Sequence, residues 1–169
     1  SSDEGRTFGK SKQLSEDGKY TGLTNGRCIR LRSGRILLEA YEMGDSFCYL
    51  SDDDGQTWRE SQRVKPGNGS WEPACIELTD SGVLMLMRTK LGSQYQSFSA
   101  DGGATWSSPE PSQLAGTAAP VAISRIPTTG HLLAVWNHNP GTANAQNGNR
   151  NRNPLTAAIS RDEGQTWEG

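Results

Sequence analysis

Apolar residues along this chain come in short bursts that alternate with polar ones, and no stretch sustains the 3.6-residue period of an amphipathic helix. The bursts read as strands. Cys28–Arg32 and Arg35–Glu42 flank a Ser33-Gly34 turn, and Ser46–Ser51 follows. The pattern returns at Ala74–Thr79, Val83–Thr89 and Gln94–Ser99, and again at Val121–Ile126, His131–Asn137 and Leu155–Ser160. Each round predicts three strands and then a fourth, such as Arg59–Val64. The most apolar runs, Ile36–Leu38 and Val83–Met87, are strand-sized and far short of the roughly 20 residues that cross a bilayer as a helix.

The rounds are punctuated by one octapeptide, Ser-x-Asp-x-Gly-x-Thr-aromatic, which occurs four times: SSDEGRTF, SDDDGQTW, SADGGATW and SRDEGQTW. The copies start at Ser1, Ser51, Ser99 and Ser160, separations of 50, 48 and 61 residues. Such a period means a repeat architecture. Asp and Ser/Thr side chains hydrogen-bond nearby backbone N–H groups and so hold tight turns. The Gly admits the left-handed backbone at the apex, and Phe8, Trp58, Trp106 and Trp167 are each expected to fold back as an apolar plug. Asp3, Asp53, Asp101 and Asp162 are therefore read as structural. A Ca²⁺ loop needs ligands at positions 1, 3, 5, 7 and 9 and a Glu at 12; the octapeptides lack that set. Four short strands every 45–60 residues predict an all-β fold, a β-propeller in which this chain supplies about three four-stranded blades.

Composition narrows the partners. The chain has 169 residues, 33% of them hydrophobic, with a net charge of −2. It offers no basic field for nucleic acid and no cationic face for a membrane. Three cysteines, Cys28, Cys48 and Cys75, are too few and too odd a number for a disulfide framework; they lie on predicted strands and read as buried small hydrophobes. His131 and His138 lack partners at metal-ligand spacing, so no metal and no cofactor is expected. The chain opens on Ser-Ser-Asp, which reads as a processed or truncated start and leaves the compartment open.

With its four octapeptides, and with WEPACIELTDSGVLMLMRT, SRIPTTGHLLAVWNHN and RNPLTAAISRDEGQTW between them, the chain resembles the sialidase (neuraminidase) superfamily, closest to bacterial Asp-box (BNR-repeat) proteins. The resemblance implies a six-bladed propeller with the box between the third and fourth strands of a blade. It also implies an exo-acting glycoside hydrolase for terminal sialic acid or a related acidic sugar. A non-catalytic Asp-box propeller that binds carbohydrate or protein is the alternative.

Sialidases hold the substrate carboxylate with three arginines and use a Tyr nucleophile activated by a Glu. A guanidinium suits a planar carboxylate because it donates two parallel charge-assisted hydrogen bonds. Glu72, followed sixteen residues later by Arg88, matches the Tyr-activating Glu and the second carboxylate-binding Arg. Arg152, eight residues before its box, matches the third, with Arg150 a neighbour for the same role. Strand direction puts Glu72, Arg88 and Arg152 at one edge of their blades and the boxes at the other. The plainer alternative is a rim ion pair and a solvated loop charge. Trp71, Tyr41 and Trp136 are candidates to line the same mouth, with packing between blades as the competing role. Arg125, in an Arg-Ile-Pro triplet, falls by register at the box edge and is set aside; Arg27 lies on the correct edge without a motif.

The resemblance leaves gaps. The family's first Arg, its general-acid Asp and its late Tyr have no counterpart among these residues. Two explanations are consistent with that. Either the chain is a fragment of a longer enzyme, or two copies close a six-bladed ring as a homodimer, each donating a strand formed by about Lys10–Tyr20 to the other's last blade.

Overall fold

The structure is a computed structural model that describes residues 3–116, 118–139 and 152–169. Eleven strands among these residues form three antiparallel sheets. The first comprises β1 (Gly22–Arg30), β2 (Ile36–Glu42), β3 (Asp45–Ser51) and β4 (Arg59–Glu60). The second comprises β5 (Trp71–Glu77), β6 (Val83–Arg88), β7 (Ser93–Ser99) and β8 (Glu110–Ala115). The third holds β9 (Ala122–Arg125), β10 (Leu132–Asn137) and β11 (Leu155–Ser160). Each sheet is a meander in which sequence neighbours pair. Nine of these strands are the ones the hydrophobic pattern marks, within three residues at each end except that β1 begins at Gly22, six residues before Cys28.

Side-chain alternation decides how the sheets stack. In β6, Val83, Met85 and Met87 enter one apolar cluster with Leu37, Cys48 and Leu50 of the first sheet. Leu84 and Leu86, on the opposite face, enter another with Leu132, Ala134 and Trp136 of the third. The second sheet is thus covered on both faces, which is why VLMLM is apolar without interruption.

Strand direction places the first-to-second hairpins and the octapeptides on one edge, and there the boxes form a single hydrogen-bond pattern. In the second box Thr57 donates from its N–H and its hydroxyl to Asp53 (2.8 and 2.5 Å), while the N–H of Gly55 donates to Ser51 Oγ (2.8 Å). Asp101 with Thr105 and Asp162 with Thr166 repeat it, and Asp3 holds Thr7 in the same way. Two consecutive residues carry the left-handed bend in each box: Glu4 and Gly5, Asp54 and Gly55, Gly102 and Gly103, Glu163 and Gly164. Gly103 and Gly164 are doubly required. A Cβ there would lie 2.7 Å from Leu37 and 2.5 Å from Leu84, the leucines of the preceding sheet.

The boxes also bind each sheet to the one before it. Arg35 of the first sheet pairs with Asp52 (2.6 Å) and donates to the carbonyls of Asp101 and Gly102 in the next box. Glu163 accepts the N–H of Thr79 in the second sheet (2.9 Å) and pairs with Arg125 (2.8 Å). Arg125 therefore sits at the box edge, as its register requires. Beyond each of two boxes a Ser-Gln pair reaches forward: Gln62 Oε1 accepts the N–H of Trp106 and Gln113 Oε1 that of Trp167, both at 2.9 Å.

Three expectations are corrected and one is met. Residues 10–20 form no strand: Leu14 packs against Phe47 and Tyr49, but the segment's backbone joins no ladder. Phe8 is 80% exposed and plugs nothing, because no described sheet precedes its box. The third sheet has three strands and ends without a fourth, as expected where the chain closes on a box, with Glu168 joined to Ile159 only by an isolated bridge. Finally, Cys28 is exposed, because β1 is irregular between Leu23 and Cys28 and lies at a sheet edge.

Two predictions follow from the boxes. Trp106 is only 6% exposed within the cluster between the first two sheets. Trp106→Ala is expected to cost about 3–5 kcal/mol in urea denaturation, against less than about 0.5 kcal/mol for Phe8→Ala. Hydrogen bonds from the Thr57 hydroxyl and N–H bring Asp53 down to about 2. At Asp101 burial pushes upward, but the N–H and hydroxyl of Thr105 outweigh it and the value is again about 2. Both lie below the ordinary 3.8, so their stabilisation is present above that value and is lost as pH falls toward 2. The Tm should drop across that window, and Asp101→Asn should flatten the drop in an acid series followed by circular dichroism.

Candidate functional site

The edge opposite the boxes is built from the starts of β1, β5, β7 and β11 and the ends of β2, β6 and β10. β5 enters through an irregularity between Trp71 and Ala74, and there Glu72 has a φ of +47°. A non-glycine residue with that backbone is strained, of order 1–3 kcal/mol, and persists only where its surroundings over-determine it. What holds Glu72 is Arg88 at the end of β6: Nη1 donates to Oε2 at 2.6 Å, with the two side chains 24% and 23% exposed (Arg88 and Glu72). Nε of Arg88 is buried and has no acceptor among the described residues, so Glu72 does not saturate the guanidinium.

Tyr41, at the end of β2, faces the same pair across the first two sheets. Its phenol is pushed up to about 12, first by its hydrogen bond with Tyr20, then by burial; Glu72 adds to the rise and Arg88 opposes it. The two hydroxyls are 3.3 Å apart and the rings meet edge to face. Tyr41 therefore stays protonated at neutral pH. Trp71 is half-buried and carries Lys90 over its ring, 5.4 Å from the centroid.

The other sequence candidates are placed less closely. Arg152 lies on this edge, where its carbonyl accepts Asn137 Nδ2 (2.6 Å), but its side chain is exposed and is in no ion pair with Glu72. Arg150 falls outside the described residues. Trp136 packs between blades, the competing role: it is 5% exposed, and its indole N–H donates to the Ala115 carbonyl (2.9 Å) between the second and third sheets. The small residues facing it, Gly116 and Ala115, let the indole sink inward.

Sequence reasoning missed the ground beneath this edge. The first strands of all three sheets converge on a cavity of about 220 Å³ lined by Arg27, Ile29, Glu39, Ala74, Cys75 and Ile123, among others. Arg27 donates across it to the carbonyl of Val121, linking the first sheet to the third. Glu39 is 1% exposed; one oxygen accepts the N–H of Cys75 (3.1 Å) and the other has no partner. Burial pushes its carboxyl up, against hydrogen bonds and the Arg27 charge. The available signal was an acidic residue in register with the apolar Leu37 on a strand otherwise read as core.

Stacked antiparallel meanders with Asp-box turns on one edge are the architecture of a BNR-repeat protein. The chain belongs to the BNR repeat-like domain family, whose sequence profile matches residues 1–169. Among solved structures it is similar to a Hadza microbial sialidase (19% identity, TM-score 0.76), covering 99% of this chain and 34% of that one. It is also similar to the intramolecular trans-sialidase of Ruminococcus gnavus, solved with oseltamivir carboxylate (22%, 0.69; 82% and 32%). The NanB sialidase of Streptococcus pneumoniae is a third (23%, 0.67; 88% and 23%). The chain thus spans about a third or less of the length of each of these. No curated protein sequence matches it.

If φ at Glu72 is held by the pair rather than preferred, Glu72→Gly and Glu72→Ala lose the same carboxylate but only the first relieves the backbone. Glu72→Gly should be the more stable of the two by about 1 kcal/mol in urea denaturation; equal stabilities would mean that Glu72 is not strained.

Proposed function

We propose that this edge is the substrate-binding mouth of a sialidase-type glycoside hydrolase, acting on terminal sialic acid or a related acidic sugar, and that the three sheets belong to a six-bladed ring. Arg88 is the carboxylate-binding guanidinium, and Arg152 joins it from the third sheet when substrate is bound. Glu72 is the base that takes the proton of a tyrosine hydroxyl brought by another blade, so that the hydroxyl attacks the anomeric carbon. Sialidases of that kind depart from the two-carboxylate pattern of most glycosidases. Neutral Tyr hydroxyls are poor nucleophiles, and a base at hydrogen-bond reach is what activates them.

The observation that carries this reading is the 2.6 Å contact between Arg88 and a backbone-strained Glu72. The pair also positions both side chains before substrate arrives. Trp71 and Tyr41 border the pair and offer apolar area with polar tips, suited to a sugar ring.

The test is calorimetry of sialic acid binding beside a fluorogenic sialoside assay. Arg88→Ala is expected to weaken sialic acid binding by about 30-fold or more, by removal of a charge-assisted pair, with an unchanged far-ultraviolet spectrum. Equal affinity in the variant would remove the assignment. Binding without turnover would favour a non-catalytic carbohydrate-binding role for the same mouth.

A further inference from the structure

We propose that Cys48 and Cys75 form a disulfide between the first two sheets when the chain folds in the presence of a low-molecular-weight disulfide such as oxidised glutathione. The two Sγ atoms are 3.8 Å apart, on β3 and β5. That is van der Waals contact between two thiols, and a bond of about 2.05 Å requires them to close by less than 2 Å. Both residues are buried in the same cluster, with Val83 and Met85 beside them. Each sulfur therefore meets the other rather than solvent. Cys28, by contrast, is exposed on β1 and is no part of that cluster.

The exchange balances without a further reactant. One protein thiolate attacks a sulfur of oxidised glutathione, forming a mixed disulfide and releasing one glutathione thiolate. The second protein thiolate then attacks the protein sulfur of that mixed disulfide, forming the Cys48–Cys75 bond and releasing the second glutathione thiolate. The two protons lost by the cysteines end on the two glutathiones. Burial pushes the Cys75 thiol well above its ordinary value, so the thiolate is scarce in the folded chain. The bond consequently forms during folding or partial opening, and it behaves as a staple rather than as a fast sensor.

Its position gives the staple a consequence. Cys75 lies three residues beyond Glu72 on β5, and Cys48 lies on β3, which pairs with β2, the strand that carries Tyr41. Oxidation would fix the strand carrying Glu72 against the sheet carrying Tyr41. This inference stands whether or not the mouth binds a sugar.

The test uses the unaltered chain, refolded from urea in millimolar glutathione redox buffer and, separately, in dithiothreitol. Ellman's reagent in denaturant should count three thiols in the dithiothreitol sample and one in the oxidised sample. Mass spectrometry after alkylation should find the peptides bearing Cys48 and Cys75 joined and Cys28 alkylated. The oxidised form should melt about 5–10 °C higher, as expected for closing a loop of this length. Cys28→Ser should form the same bond and retain no free thiol. Three thiols in the oxidised sample, a bond through Cys28, or a linked form that melts lower than the dithiol would each overturn the proposal.

Discussion

Everything in this molecule depends on the second sheet having no face for water. β6 sends Val83, Met85 and Met87 one way and Leu84 and Leu86 the other, and both sets are fully buried. A sheet in that position must be sandwiched, and an antiparallel meander sandwiched between others has only its two edges left for chemistry. Because the strands alternate in direction, the edges are not equivalent. One collects the hairpins and the boxes; the other collects the strand ends that Glu72, Arg88 and Tyr41 occupy.

The two edges use charge differently. On the box edge nearly every charge is spent on cohesion: Arg35, Arg125 and Glu163 tie one sheet to the next, and the aspartates are absorbed into their own turns. On the other edge Glu72 and Arg88 pair across a single hairpin, and Arg88 Nε has no acceptor among the described residues.

The fold was legible because period-two alternation and a fourfold octapeptide are local signals, and the strands they mark lie within three residues of those observed, apart from the start of β1. The Glu72–Arg88 pairing was legible too, since a spacing of sixteen across one hairpin brings strand start to strand end; Trp71 and Arg88 face each other in the register. What was not legible depends on other sheets. For Trp136 the hairpin position leaves mouth lining and packing both open, and which applies is decided by the neighbouring sheet's Ala115 and Gly116. Glu39 read as part of a core strand, and only the convergence of three first strands turns it into a buried acid beside a cavity. The Ser-Gln pairs at Ser61-Gln62 and Ser112-Gln113 were a repeat in plain view, hidden because their distance from the preceding Trp differs between copies. Residues 10–20 were read as a strand by arithmetic, although nothing in their alternation demanded one.

The fourth position of the octapeptide shows how far the repeats have diverged under a common backbone. In the last box Glu163 fills it and extends an arm back to the second sheet. In the box before, Gly102 leaves it bare, and the room is taken by Arg35, whose guanidinium would lie 3.1 Å from any added Cβ. Corresponding seams are thus closed by a limb reaching upstream in one copy and downstream in the other. Copies that look interchangeable as text are keyed to their own neighbours, and a box transplanted between sheets would carry two limbs into one gap or none.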